Sequence, residues 1–188
     1  MKNAKKALIL VLCAALLVGA SVMGTLAYLT SQTGTVKNTF TVGKVEITLK
    51  EYEINPETGK KLNPLKPVDK MDGIKVVPGR TIDKHAFITV ADKSEACYIF
   101  VEIVNGLGND ATIKMADGWT QITGTDFWMY DSVKYANDVQ DVFTEIVCSN
   151  LIRNGQTYSD PIAITAYAVQ AEGFVTAAAA WGATFGKP

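Results

Sequence analysis

Alternation of apolar and polar side chains runs through residues 41–52. Val45, Ile47 and Leu49 fall on one face of an extended chain there, while charged and hydroxyl side chains fall on the other. A period of two is typical of an antiparallel strand with one buried face. After residue 27 the sequence shows no amphipathic helical pattern of about 12 residues or more. The pattern therefore predicts an all-β chain, folded as an antiparallel, jelly-roll-like β-sandwich.

Further strand candidates follow along the chain. Residues 96–105 are apolar on both faces, which indicates a central strand. Residues 162–170 form the strongest late candidate, and the alanines of residues 176–181 favour one or two helical turns. Residues 55–73 contain three prolines without periodicity, so we expect a surface loop. The remaining strand candidates are residues 84–91, 119–122, 127–130 and 141–148.

The first 27 residues have the layout of a secretory signal peptide, expected to form a helix. Basic residues at positions 2, 5 and 6 precede 22 uncharged residues, from Ala7 to Tyr28. Signal peptidases require small side chains near the cleaved bond, which predicts cleavage between Ala27 and Tyr28. A weaker cleavage site follows Ala20. An uncleaved membrane anchor is the alternative, because about 20 apolar residues suffice to span a bilayer.

Charge is distributed unevenly between this signal and the rest of the chain. The sequence has 18 basic and 19 acidic residues, but all three charges before residue 28 are basic. The remainder therefore carries 15 basic and 19 acidic residues, a net charge of −4. A mature chain with this negative net charge lacks the basic surface that nucleic-acid binding requires, so we expect no nucleic-acid partner. We predict a signal peptide at 1–27, a mature N-terminal segment at 28–42 and a β-sandwich domain at 43–188, with membrane contact only through the uncleaved signal.

Two cysteines, Cys97 and Cys148, remain after removal of the signal. Both fall on predicted strands, and an exported compartment would permit a disulfide between them. A strand cysteine also packs well as a small buried hydrophobe with a free thiol. The sequence leaves these two alternatives open.

The mature N-terminal segment is polar and rich in Gly, Ser and Thr, a composition that permits an extended strand. Its isolated apolar residues include Leu29, Val36 and Phe40. A segment of this kind, ahead of the first clear strand, can pair with a sheet elsewhere. A disordered terminus is the alternative.

Several segments together resemble the TasA/camelysin family of proteins, which Gram-positive bacteria export and process with the dedicated signal peptidase SipW. The export signal at residues 24–30 is the most specific part of the resemblance. The other parts are residues 36–49, 75–81, 95–103 and 162–170 and the tail around Trp181. The resemblance implies a secreted protein of the extracellular matrix or cell surface, with a SipW-type signal peptidase as its partner during export.

The resemblance also implies a function in assembly. Subunits of that family self-associate into extracellular fibres when the mature N-terminal strand of one subunit completes the sheet of the next. Residues 28–42, with Leu29, Val36 and Phe40, would donate the strand, and an open sheet edge would accept it. The expected function is that of a structural protein of the cell surface or biofilm matrix, a fibre subunit or accessory, with neither enzymatic activity nor a cofactor.

Camelysin is described as a casein-cleaving metallopeptidase, so the resemblance brings a metallopeptidase as an alternative function. A catalytic zinc site generally takes three protein ligands, commonly two His one helical turn apart. This chain has His85 alone, on a predicted strand, without a serine-nucleophile or aspartic-protease motif. We predict no catalytic residue and no metal ligand, and interpret His85 as a strand residue at a sheet face.

Two other groups of residues suggest binding. Asn137, Asp138 and Asp141 form an acidic cluster that could hold Ca²⁺, although their spacing is not that of an EF-hand and a solvated loop explains them equally well. Four aromatic residues could stack on sugar rings, which makes a surface carbohydrate-binding module a further alternative, although aromatic residues of short strands usually pack in the core. These aromatic residues are Trp119, Trp128, Tyr130 and Tyr135.

Overall fold

The computed structural model describes the backbone of residues 30–33 and all of residues 44–153, 156, 158 and 162–186. Within this part of the chain, strands paired in antiparallel sheets dominate, with one short α-helix near the end. The all-β antiparallel prediction is confirmed, and the jelly-roll winding stays a prediction. The signal peptide, the predicted cleavage site at Ala27 and Tyr28, and the residues Leu29, Val36 and Phe40 lie outside the described residues. The helix that is described is too short to cross a membrane.

The first sheet is centred on a strand that is buried on both faces. β6 pairs along its whole length with β11, and β1 pairs with the outer side of β11. On the other side of β6 lie β9 and then β8. The central position of β6 confirms the prediction made from its two apolar faces. In spatial order the strands are β1 (Thr30–Thr33), β11 (Ile162–Gln170), β6 (Cys97–Asn105), β9 (Phe127–Tyr130) and β8 (Trp119–Gln121).

The second sheet is centred on β5 and β10. β5 lies between β2 and β10, and β7 pairs with the far side of β10. The register of β10 shifts between Asp141 and Phe143 along β5, which is a β-bulge. The strands are β3 (Pro67–Val68), β2 (Ile47–Tyr52), β5 (Ala86–Val90), β10 (Val139–Cys148), β4 (Thr81–Ile82) and β7 (Ala111–Met115).

One apolar core lies between the two sheets. Ile99 and Val101 of β6 belong to the same buried cluster as Ile47, Ile88 and Val142 of the second sheet. Each of these side chains is essentially inaccessible to solvent. Alternating inward residues from two sheets in one core are what the period of two in the sequence predicts.

A smaller apolar cluster covers part of the outer face of the first sheet. The helix α1 (Ala177–Thr184) lies against β6, β9 and β11, and Trp181 packs on Phe100 there. Thr176 caps the helix, because its side-chain oxygen accepts a hydrogen bond from the Ala179 N–H at 3.1 Å. The helix predicted at residues 176–181 is therefore present and extends to Thr184.

The second sheet also buries an ion pair. The Lys84 ammonium contacts the Glu51 carboxylate, and the two side chains are only 9% and 11% exposed. Residues 55–73 connect β2 to the later strands largely as irregular structure, as predicted, apart from β3. Surface ion pairs such as Lys66–Glu53, at 3.0 Å, fasten this loop to the sheet.

Candidate functional site

The outer edge of β11 is the place where the predicted donor segment meets the body. β1 lies inside residues 28–42 and runs antiparallel to β11, with Thr30 opposite Val169 and Thr33 opposite Ala166. Cα atoms of opposite residues in such a pair are about 4.5–5.5 Å apart, and alternate residues exchange backbone hydrogen bonds. β1 also approaches β2 of the second sheet, so it lies along one side of the sandwich.

β1 covers only part of the edge. Pairing with β6 involves all nine residues of β11, whereas pairing with β1 involves four, Ala166 to Val169. Among the described residues, no strand pairs with the outer side of Ile162–Thr165. An unpaired strand edge presents N–H and C=O groups that can pair with another extended chain.

The sequence of β11 makes this edge a rigid template. Ala166 and Ala168 point into the core with no exposed surface, and Val169 is equally buried in the cluster under α1. Small side chains on the inner face let the second sheet approach closely, and the full-length pairing with β6 holds the register. The pairing that holds β11 in the sheet is thus made with β6 and does not involve β1.

His85 lies on the outer face of the second sheet, immediately before β5. The Lys61 ammonium lies 2.9 Å from its Nδ1, within hydrogen-bond distance. An Asp141 carboxylate oxygen lies 2.8 Å from Nε2, close enough for an electrostatic contact. Tyr52 packs edge-on against the ring at 5.2 Å. The geometry is that of a histidine packed on a sheet face, as the sequence predicts.

The part of the chain that the structure describes contains no group of three or more His, Cys, Asp or Glu side chains arranged to hold a metal ion. The residues of the predicted acidic cluster have separate partners. Asp138 accepts the Tyr135 N–H at 2.8 Å, Asp141 faces His85, and Asn137 takes the left-handed conformation of a turn, with φ of 69°. These contacts are those of a structured turn ahead of β10.

Cys97 and Cys148 are buried free thiols at opposite ends of the sandwich. Cys97 begins β6, while Cys148 is opposite Ala111, whose carbonyl accepts a hydrogen bond from Asn105 at the other end of β6. Eight residues of strand span about 26 Å, and a disulfide requires Cα atoms within about 7 Å. Of the two alternatives that the sequence leaves open, the structure has the free thiols.

Burial also makes these thiols unreactive. It raises the pKa of Cys97 from 9.0 to about 12, with a smaller contribution from the negative charge of Asp138. The pKa of Cys148 is raised by burial too, against the opposing effects of the Val77 backbone N–H and the Arg80 charge. Since the thiolate is the nucleophile, neither cysteine is suited to covalent chemistry near neutral pH.

The aromatic residues considered for sugar stacking do not share one exposed face. Trp119 is buried, and its indole N–H donates to the Asp141 carbonyl at 2.7 Å. Trp128 and Tyr130 are half-buried against the main core, whereas Tyr135 is exposed. A different aromatic group, around Trp181, lies on the outer face of the first sheet.

This outer aromatic group was not expected from the sequence. Trp181 stacks on Phe185 with ring centroids 4.5 Å apart, and Phe127 and Tyr167 complete the group. Its members come from α1 and the residue that follows it, from β9 and from β11, and these elements are distant in sequence. The only signal in the sequence was an uncharged stretch with aromatic residues from Gly173 to Gly186.

Comparison with known proteins gave no significant match: no family model, curated protein or solved structure corresponds to the chain.

Proposed function

We propose that the chain is an exported structural protein of the cell surface or biofilm matrix, which self-associates when its N-terminal strand pairs with β11 of a neighbouring copy. The observation that supports this proposal is the pairing of β1, a segment at the start of the predicted mature chain, with a sheet edge that no other described strand covers. A strand from a second copy could make the same backbone hydrogen bonds.

The connection between β1 and the body is long enough for exchange. Ten residues, 34–43, separate Thr33 from Lys44, whose carbonyl already accepts a hydrogen bond from the Glu95 N–H of the body, and an extended chain of that length spans about 35 Å. A domain of this size has a diameter of about 40 Å. Because this span is close to the domain diameter, a strand that leaves its own β11 can reach the β11 of a copy that packs directly beside that edge.

Exchange of this kind makes open assemblies. The donor strand and the acceptor edge are different surfaces, so the contact is head-to-tail, and such contacts form filaments unless the rotation between copies closes a ring. The predicted cleavage after Ala27 leaves only two residues ahead of β1. Processing would thus free the donor strand from the membrane at the moment when it becomes the chain terminus.

Disulfide trapping between two variants tests the exchange. One chain, beginning at Tyr28, carries Thr30→Cys, and the other carries Val169→Cys; both substitutions nearly preserve side-chain volume. These positions are opposite each other in β1 and β11, within the Cα distance that a disulfide accepts. We expect a disulfide-linked pair of the two variants after mixing and mild oxidation, and expect fibres by electron microscopy.

Ala163→Cys in place of Val169→Cys is the matched control. It lies on the same strand, six residues or about 20 Å from position 169, so it should form much less of the linked pair with Thr30→Cys. Both native cysteines are buried and should not compete. Absence of the linked pair in a sample that forms fibres would refute strand exchange, and absence of any self-association would refute the proposed function as a whole.

A further inference from the structure

The C-terminal helix and its flanks form an apolar surface beside the acceptor edge. No charged residue occurs from Gly173 to Gly186. Two large apolar side chains of this stretch face solvent, since Val175 is 91% exposed and Phe185 is 38% exposed. A helix that is apolar on every side is normally buried on every side, and a contiguous exposed apolar patch on a soluble domain commonly marks an interaction site.

This surface, which we call the α1 patch, consists of Val175, Phe185 and the exposed alanines of α1. Its position is determined by α1, which lies against β11 as well as β6 and β9. Beneath it, the Trp181 indole is more than nine-tenths buried, and its N–H has no acceptor among the described residues. A buried donor without a partner is uncommon and calls for an explanation, such as an acceptor supplied by a bound molecule.

The size of β1 shows why a strand-exchanged contact needs more surface. Stable protein interfaces bury about 800 Å² on each partner and involve about 20–30 residues a side. β1 supplies four residues. A strand placed on β11 lies beside α1, so the α1 patch is an apolar surface within reach of the copy that donates the strand.

The charge of the chain indicates that a second copy, and not a membrane, would cover the α1 patch. The predicted mature chain has a net charge of −4, and the α1 patch contains no basic residue. Binding to an anionic lipid surface generally uses Lys and Arg beside the apolar residues. Association of copies with the same net charge is favoured by an uncharged, apolar contact, which is what the patch provides.

We propose that the α1 patch is an interface for a second copy of this chain, buried together with the β11 edge during assembly. The inference rests on the proposed function for the identity of the occupant and adds a surface that strand pairing alone does not include.

Val175→Asp tests the proposal, with Leu151→Asp as its matched control. Leu151 is 84% exposed and follows β10 at the opposite end of the sandwich, so the control adds the same charge to a similarly exposed apolar position. The full mature chain is used, and folding is checked by thermal unfolding, which neither substitution should change. We expect Val175→Asp to raise the concentration required for assembly by about tenfold or more, since it places a charge in an apolar contact. Leu151→Asp should change that concentration by less than about twofold.

The outcomes separate this proposal from strand exchange. If the unsubstituted chain assembles and Val175→Asp assembles equally well, the α1 patch is refuted as an interface while strand exchange stands. The same conclusion follows if Val175→Asp and Leu151→Asp impair assembly equally. If association is sensitive to Val175→Asp but the Thr30→Cys and Val169→Cys pair never links, the patch is supported and strand exchange fails. A chain that never associates, or one that instead binds phosphatidylglycerol vesicles through Val175, refutes the second copy as occupant.

Discussion

Replacing Lys84 with methionine would leave the Glu51 carboxylate without its partner inside the second sheet. Glu51 is 11% exposed, and Lys84, in the short connection just before β5, supplies its counter-charge. Removal of one member of a buried ion pair typically costs about 3–5 kcal/mol, because the other charge stays desolvated. This is a large part of the roughly 5–15 kcal/mol by which a domain is stable. At about 2–4 °C per kcal/mol for a domain of this size, Tm should fall by roughly 6–20 °C.

Equilibrium unfolding in urea, followed by tryptophan fluorescence, would measure this loss. Lys70→Met is the matched control, because Lys70 forms a 3.0 Å ion pair with Asp72 in which both side chains are more than 70% exposed. That variant should lie within about 0.5 kcal/mol of the parent. Lys84→Met combined with Glu51→Leu removes both charges and should recover most of the stability. A loss below about 1 kcal/mol for Lys84→Met, or a double variant no more stable than it, would refute the reasoning.

Three further predictions concern the core, the bulged strand and the donor strand. Burial raises the folded-state pKa of Cys97 from 9.0 to about 12. Its contribution to stability is therefore complete below pH 9 and is lost as the pH rises toward 12, by about 1.4 kcal/mol per pH unit. Cys97→Ala should flatten this part of the plot of urea-derived unfolding free energy against pH, and an unchanged slope would contradict the raised pKa. Trp119→Phe removes the donor to the Asp141 carbonyl and should cost about 1–3 kcal/mol in the same assay; no measurable loss would mean that the bond contributes little. A single chain that carries both Thr30→Cys and Val169→Cys, oxidised as a monomer, should no longer assemble, and assembly should resume after reduction. Light scattering follows both steps. Undiminished assembly of the oxidised chain would show that β1 need not leave its own β11.

Long apolar strands were predictable because their local pattern agrees with their place in the fold. β11 has the predicted bounds, Ile162 to Gln170, and β6 starts only one residue later than expected. In β6, side chains with β propensity coincide with deep burial, so propensity and tertiary packing favour the same structure. In β11 the buried residues include Ala166 and Ala168, and the Ile, Thr, Tyr and Val residues around them give the strand its β propensity. The loop at residues 55–73 followed from its prolines for a similar reason, since proline cannot donate to a sheet ladder.

Edge strands were harder to predict. β1 has the sequence Thr-Ser-Gln-Thr, which contains no apolar residue, and its pairing depends entirely on the backbone of β11. β7, residues Ala111–Met115, is short and includes Lys114, so it lacked a signal strong enough for a prediction. The acceptor edge is a property of strand order, which arises from contacts between β6 and β11 that are about 65 residues apart. Local periodicity contains no information on such order.

The proposed exchange and the α1 patch are connected by energetics. A strand donated by a neighbour forms the same β1–β11 hydrogen bonds that the chain already forms internally, so their net free energy, about 1 kcal/mol each, cancels between monomer and assembly. Association nevertheless costs at least about 4 kcal/mol in lost translational and rotational freedom.

The compensating free energy must come from surface that is exposed in the monomer and buried in the assembly. At about 25 cal/mol per Å², roughly 200 Å² of newly buried apolar surface provides 5 kcal/mol. Val175 and Phe185 offer exposed apolar surface beside the acceptor edge. The strand would then determine the geometry of the contact and the patch its affinity, so Val175→Asp should weaken assembly without altering the disulfide register of the assemblies that still form.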